Sequence, residues 1–450
     1  MTMQTAWAQG TEQSVAIETA PASLAPAGRR PFVYAALVAF SWLYYYRPED
    51  FIPGLSYIPM AKITGIIGMV ALLVGMAGVK TKIPPAVKFL WLLVFQMALC
   101  VPFAIWRGGA FSTVVDKFSK TAVVAMLISM AVVSVDGLRK LLWIQVSAVA
   151  FVTFFSILLR HSRDGRLEGI QKSILENPND LAINIAISFP LGLAFLLRTR
   201  GPRKILWVVG LAFMAVGIVL TYSRSGLLAF ILSLGVCVWE YGIKGKRRYI
   251  VWITAILLFL GLGVALTSAH YRARVASILA GNVEGSGDKG SLDARKTLLK
   301  KSIMVAVTHP LFGVGPGCFI LVDKGWVVAH NTYTELAAEA GFPAMILFLL
   351  AIGAALKNVS HVRNSAKYHG DPEFRLFTQG VGAGLVAYLI GACFASTEYN
   401  LYPYFLVGYT CAIVRIAAGS PMEKPPSRED LNQRRVLNKK VSRPQVTLVS

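Results

Sequence analysis

Uncharged apolar runs recur along this 450-residue chain. Many are about 18 to 23 residues long, the length at which a helix spans a hydrocarbon core of about 30 Å. Lipid offers no partner to an unpaired peptide group, so such runs fold as helices. A soluble chain of this length does not repeat them. Apolar residues make up 55% of the sequence and the mean hydropathy is +0.57, in agreement. The runs predict an all-α, polytopic membrane protein of about twelve transmembrane helices. They lie roughly at 32–46, 58–79, 87–106, 119–135, 138–159, 181–197, 205–222, 226–243, 249–268, 333–356, 376–395 and 401–418. No fixed-period repeat is present.

Basic residues set the sidedness. With both termini on the cytoplasmic side and loops assigned alternately, the cytoplasmic segments hold 27 bases and 9 acids, and the outer segments 18 and 14. That split accounts for nearly all of the net charge of +22, so the charge implies no nucleic-acid partner. The organisation expected is a disordered cytoplasmic tail at 1–30, helices one to nine over 31–268, a large outer loop at 269–331, helices ten to twelve over 332–418, and a basic cytoplasmic tail at 419–450. The first 28 residues carry two acids and no base. They lack the basic start of a signal peptide and read as a tail, not a leader.

Between 205 and 239 the one charged residue is Arg224, in "VLTYSRSGLLAF". A single helix over that stretch would run about 53 Å at 1.5 Å per residue, too long for the bilayer core. It would also put the basic clusters at 198–204 and 244–248 on opposite faces. A hairpin removes both difficulties and places Arg224, with Tyr222, Ser223 and Ser225, at the outer face. Taken alone, the arginine reads equally well as one that snorkels to the headgroups.

Two outer segments are long, 160–180 and 268–331. In the second, "SLDARKTLLKKSIMVAVTHP" has helical spacing and reads as an amphipathic helix along the membrane surface, started by Ser291 and Asp293 and ended by Pro310. "LFGVGPGCF" follows. It follows no strand and opens no βαβ unit, which excludes a dinucleotide loop. His330 and Asn331 then precede a helix that carries Glu335 and Glu339 one turn apart, on one face. Carboxylates at that depth need a polar cavity or basic partners. His330 alone reads as a loop histidine or a cap, and Arg295 alone as part of a headgroup-binding surface. Four of the five cysteines (Cys100, Cys237, Cys393, Cys411) fall in apolar runs and Cys318 lies in a loop, so neither a disulfide framework nor a metal site is implied. No cofactor is expected.

Together, "TYSRSGLLAF", "DARKTLLKKSIMVAVTHPLFGVGPGCF" and "HNTYTELAAEAGFP" resemble, in order, three signatures of the O-antigen ligase family, which shades into O-antigen and exopolysaccharide polymerases. "ENPNDLAINIAISFPLGLAFLL" is similar to the segment before the arginine turn in one branch. The turn reads Ser-Arg-Ser-Gly where many members have Ser-Arg-Gly-Gly, and "YYYRPEDFIPGLSYIP" fits only part of the family. The resemblance implies a metal-independent, type C glycosyltransferase fold in the bacterial inner membrane, with 269–331 as a periplasmic loop and the active site facing the periplasm. It implies a glycan donor on a polyprenyl pyrophosphate, and it carries the family's functional residues to Arg224, Arg295 and His330.

The chemistry of these residues suits that role. Arginine forks bind phosphates bidentately and stabilise a departing pyrophosphate. Tyr222, Ser223 and Ser225 add neutral donors. A histidine with an ordinary pKa of about 6.5 takes the proton of an acceptor hydroxyl. Asn331, Glu335 and Glu339 complete the expected binding set, with one glutamate orienting the imidazole or acting as the base. The favoured partners are a polyprenyl pyrophosphate-linked glycan as donor, lipid A–core as acceptor, and membrane lipids. A lipid-linked glycan as acceptor would make the protein a polymerase, and a protein acceptor is a further variant. A lipid-linked glycan transporter is the reading from another class. It would carry its polar sites near the midplane, which here is almost free of charge.

Overall fold

The structure is a computed structural model, and it describes residues 31–48, 60–76, 82–163, 165–169, 177–249, 288–322 and 327–419. The predicted helix at 249–268, both tails, the first part of the large outer loop and much of 170–180 lie outside the described residues.

The described chain is helical. In order it forms α1 (Pro31–Tyr46), α2 (Met60–Met76), α3 (Pro85–Cys100), α4 (Arg107–Ser112), α5 (Ser119–Ala131) and α6 (Val135–Leu158). A two-stranded hairpin follows, β1 (Ser162–Arg163) with β2 (Arg166–Leu167). Then come α7 (Pro178–Arg198), α8 (Lys204–Leu220), α9 (Arg224–Cys237), α10 (Asp288–Thr308), α11 (Phe319–Val322), α12 (Thr332–Val362), α13 (Ala366–Gly370), α14 (Pro372–Gly391) and α15 (Tyr402–Ala418). A π-helical turn, Val238–Ile243, extends α9, and another, Thr113–Phe118, joins α4 to α5.

Every predicted apolar helix that falls on described residues is a helix, but fewer are long. Among the described residues, six helices are long and apolar enough to cross a membrane: Pro85–Phe103, Val135–Leu158, Pro178–Arg198, Arg224–Ile243, Thr332–Val362 and Pro372–Gly391. Three further apolar helices are shorter, Lys62–Val74, Lys204–Leu220 and Tyr402–Ala418. Helix α5 has 13 residues and α8 has 17, about 26 Å at the helical rise. Residues 107–118, which the apolar pattern leaves as loop, are helical as well. Helix α10 begins at Asp288, about one turn ahead of Ser291, so the last of the glycine-rich residues join its first turn.

Helices α7, α14 and α15 are buried on nearly every side. Helices α2, α3 and α8 sit outside them and leave large apolar side chains exposed, Leu206 at 74% and Val74 at 71%. Lipid is the solvent that makes such a surface inexpensive.

Polar contacts gather at the two ends of the bundle. At one end Glu373, which starts α14, pairs with Arg198 at 2.9 Å and with Arg139 at 3.3 Å. Glu240 pairs there with Arg363 at 3.0 Å and with Lys244 at 3.4 Å. Arg198 ends α7, and Asn179, at its start about 30 Å away, belongs to the other end. The clusters at 198–204 and 244–248 therefore share one end, and the chain turns back between them at residues 221–223.

Candidate functional site

The site lies at the end opposite those ion pairs and is built around a broken helix. Gly341 inside α12 has φ 79° and ψ 168°, and Pro343 follows. Proline has no N–H, so the Glu339 carbonyl loses its helical partner. The glycine-rich turn replaces what the break removes. Val314 N–H donates to the Ala338 carbonyl and Gly315 N–H to the Glu339 carbonyl, both at 2.9 Å, while Phe342 N–H donates to the Pro310 carbonyl at 2.8 Å. Irregular backbone is tolerated at membrane depth only when it is satisfied in this way. Gly313, with φ 62°, is required there, because a Cβ would lie 2.3 Å from the Glu339 carbonyl carbon.

Glu339 ties the same turn with its side chain. Its carboxylate accepts from Gly317 N–H at 2.8 Å, from Phe319 N–H at 2.9 Å and from the Tyr399 hydroxyl. Glu335 accepts from Ala329 N–H at 3.0 Å and from the Ser396 hydroxyl. Both glutamates are buried. These bonds go to backbone amides and hydroxyls, where the sequence points to a polar cavity or basic side chains. Glu398, also buried, lies close enough that burial, with Glu335 and Glu339 adding to it, holds its carboxyl well above the usual carboxylate range.

His330 stands just before this helix with φ 56°, in the left-handed region. Its N–H donates to Ser396 Oγ at 3.0 Å. Asn331 is the N-cap: its side chain accepts from Tyr333 N–H and Thr334 N–H, and its amide donates to the Cys393 carbonyl. Thr332 donates its N–H to the carbonyls of Ala392 and Ala395. Burial pushes the imidazole down to about 4, and the Arg295 guanidinium adds to the shift. The structure thus brings Arg295, on α10, into electrostatic reach of His330. It also corrects the expectation of an ordinary imidazole near 6.5.

The Arg224 turn has the same local form. Tyr222 has φ 48°, Ser223 is the N-cap and accepts from Gly226 N–H, and Arg224 is the first residue of α9. Arg224 is exposed, whereas Ser223 and Ser225 are buried with their hydroxyls 3.1 Å apart. A Cβ at Gly226 would meet that of Ala182 at 2.2 Å, so this glycine lets the start of α9 close onto α7. Arg166, from β2, donates to the Thr221 carbonyl and to Asn179 Oδ1, both at 3.0 Å, and Ser223 donates to that same oxygen at 2.8 Å. Asp180, the next residue, accepts from Asn400 and Tyr402 at 3.4 Å. The Arg224 turn and the His330 turn are thus both tied to the segment 392–402.

That segment, "ACFASTEYNLY", and Arg166 were not singled out in the sequence. Its polar cluster between two apolar runs was the available signal. Among the described residues, no group of three or more His, Cys, Asp or Glu side chains is placed to hold a metal ion.

Apolar helices around a polar end built on two helix starts and a broken helix define a membrane protein with a site at one end of the bundle. Residues 209–349 match the family model described as O-antigen ligase. This stretch holds the Arg224 turn, the Arg295 helix, the glycine-rich turn and the start of α12, and it supports assignment of the chain to the O-antigen ligase family. Members of that family are membrane glycosyltransferase-like enzymes, ligases or polymerases. No curated protein matches the chain.

Proposed function

We propose that this protein moves a glycan from a polyprenyl pyrophosphate carrier to a sugar hydroxyl of lipid A–core, at the periplasmic face of the inner membrane. The observation that carries the reading is Arg295 within electrostatic reach of His330 at the head of the broken helix, inside the family match. Arg224 and Arg295 hold the pyrophosphate through planar forks. The acceptor hydroxyl gives its proton to the neutral imidazole. Its oxygen attacks the anomeric carbon from the face opposite the leaving group. The C–O bond to the carrier breaks, the electron pair leaves with the pyrophosphate, and the configuration inverts. No metal is required by this course. Bound pyrophosphate offsets the charge of Arg295, so the imidazole becomes more basic when the donor is in place.

Glu335 and Glu339 serve this reading as anchors of the loops, not as bases. Lysine at Arg224 or Arg295 should restore little activity, because a point charge does not reproduce the fork. Full turnover by both lysine variants would remove bidentate phosphate binding from the account.

A polymerase, which joins lipid-linked repeat units, would use every one of these groups, and the family's members include both. Purified protein incubated with a polyprenyl-pyrophosphate oligosaccharide, and offered lipid A–core or a second lipid-linked unit, separates them by product. Glycan on lipid A–core supports the ligase, and longer lipid-linked chains support the polymerase. With neither product, the glycosyltransferase reading fails and a transporter becomes the better account.

A further inference from the structure

We propose that Ser396 is a positioning residue that holds His330 in its working geometry through the main chain. The inference rests on the glycosyltransferase reading above and assigns a role to a residue outside the family match, which ends at residue 349.

His330 adopts φ 56°, a conformation that a residue with a Cβ keeps only when its surroundings fix it. The fixing contacts come from the loop 392–402 and from Glu335 on α12. A serine hydroxyl has one proton and two lone pairs, and both functions are engaged here. Ser396 Oγ accepts the His330 N–H at 3.0 Å and gives its own proton to Glu335. The Glu335 oxygen that receives it also takes the Ala329 N–H at 3.0 Å. One hydroxyl and one carboxylate thus grip the two successive amides, 329 and 330, that set the turn. The flanking contacts carry no side chain of His330: Asn331 Nδ2 donates to the Cys393 carbonyl, and Thr332 bonds the Ala395 carbonyl. Ser396 is the one member of the loop bonded to the backbone of His330 itself. Its bond is to the peptide N–H, so it orients the histidine without taking part in proton transfer.

The consequence is a split between binding and turnover. Arg224 starts α9 and Arg295 lies on α10, each outside the segment that carries this hydroxyl, so its loss is expected to spare donor binding. Loss of it lets the φ of His330 relax and moves the ring, and a shift of about 1 Å at a reacting group costs on the order of 10²-fold in rate.

The test compares Ser396→Ala, Ser396→Thr and His330→Ala in the full-length, detergent-purified protein. The donor is a polyprenyl-pyrophosphate oligosaccharide, and thermal unfolding checks folding. The expected result is that Ser396→Ala lowers kcat by about 10- to 10²-fold with the donor KM unchanged. Ser396→Thr, which restores the hydroxyl, returns most of the rate. The proposal is overturned if Ser396→Ala keeps the wild-type kcat, if it raises the donor KM in proportion to the loss, or if threonine is as impaired as alanine. If His330→Ala itself turns over normally, the fault lies in the functional reading, which separates the two failures.

Discussion

A histidine that must accept a proton works in its neutral form, and burial together with Arg295 keeps His330 there, with a pKa near 4 in the free protein. The dependence of kcat/KM on pH reports the free enzyme and that of kcat the enzyme–substrate complex. The acid limb of kcat/KM should therefore fall through about 4, not 6.5. In the proposed mechanism pyrophosphate bound on Arg295 would raise the imidazole, so the kcat limb should lie at higher pH than the kcat/KM limb. Coincident limbs near 6.5 would contradict the coupling. Arg295→Gln removes the cation, and ring-labelled NMR titration should show the His330 midpoint rising. At this scale the sequence singles out Arg224, Arg295 and His330 only through the order of three motifs, since each alone has a plainer reading, and their roles remain proposals. It does not single out Ser396, Arg166 or Asn179. Ser396 and Arg166 act on the backbone of a distant turn and Asn179 on the Ser223 hydroxyl, and sequence spacing carries no trace of a contact across 66 or 55 positions.

Among the elements, the break in α12 organises the site. Its Gly-Phe-Pro and the glycine-rich turn are two halves of one structure, because the turn supplies hydrogen-bond partners that the break takes away. Glu339 fastens the two. Glu339→Ala leaves the Gly317 and Phe319 amides without their acceptor, and a buried group left unpaired costs about 1–3 kcal/mol. The variant should unfold at a clearly lower temperature in detergent and lose transfer with it. An unchanged melting temperature would mean that the carboxylate is not the fastener. The apolar period placed the start of this helix to within a residue and ended it at 356, short of Val362, and the glycines marked a turn. What could not be read was that Glu339 points into that turn, because one face of a helix entering a membrane reads the same whether it meets a cavity or a loop.

For the whole molecule, the charge split predicts which end of the bundle faces the cytoplasm. The apolar pattern located the helices on the described residues well, and it did not register where regular helix gives way, as at the tighter turn after Cys100. Cysteine exposure offers a direct check on orientation. Cys393 is the one exposed cysteine and lies beside the His330 turn, while the other four are buried. An impermeant thiol reagent applied to cells with a permeabilised outer membrane should label the wild-type protein, and Cys393→Ala should abolish the label. Lys246→Cys in that background places an exposed thiol at the opposite end and should stay unlabelled. Label at 246 and none at 393 would invert the topology.

The central claim is that His330 takes the acceptor proton while the arginines hold the donor. Single-turnover transfer by purified His330→Ala, with donor binding measured separately, tests it most directly. Loss of a general base costs about 10² to 10⁴ in rate, so transfer should slow by that order while donor binding stays intact. Near-normal turnover, or failure because the donor no longer binds, would contradict the account.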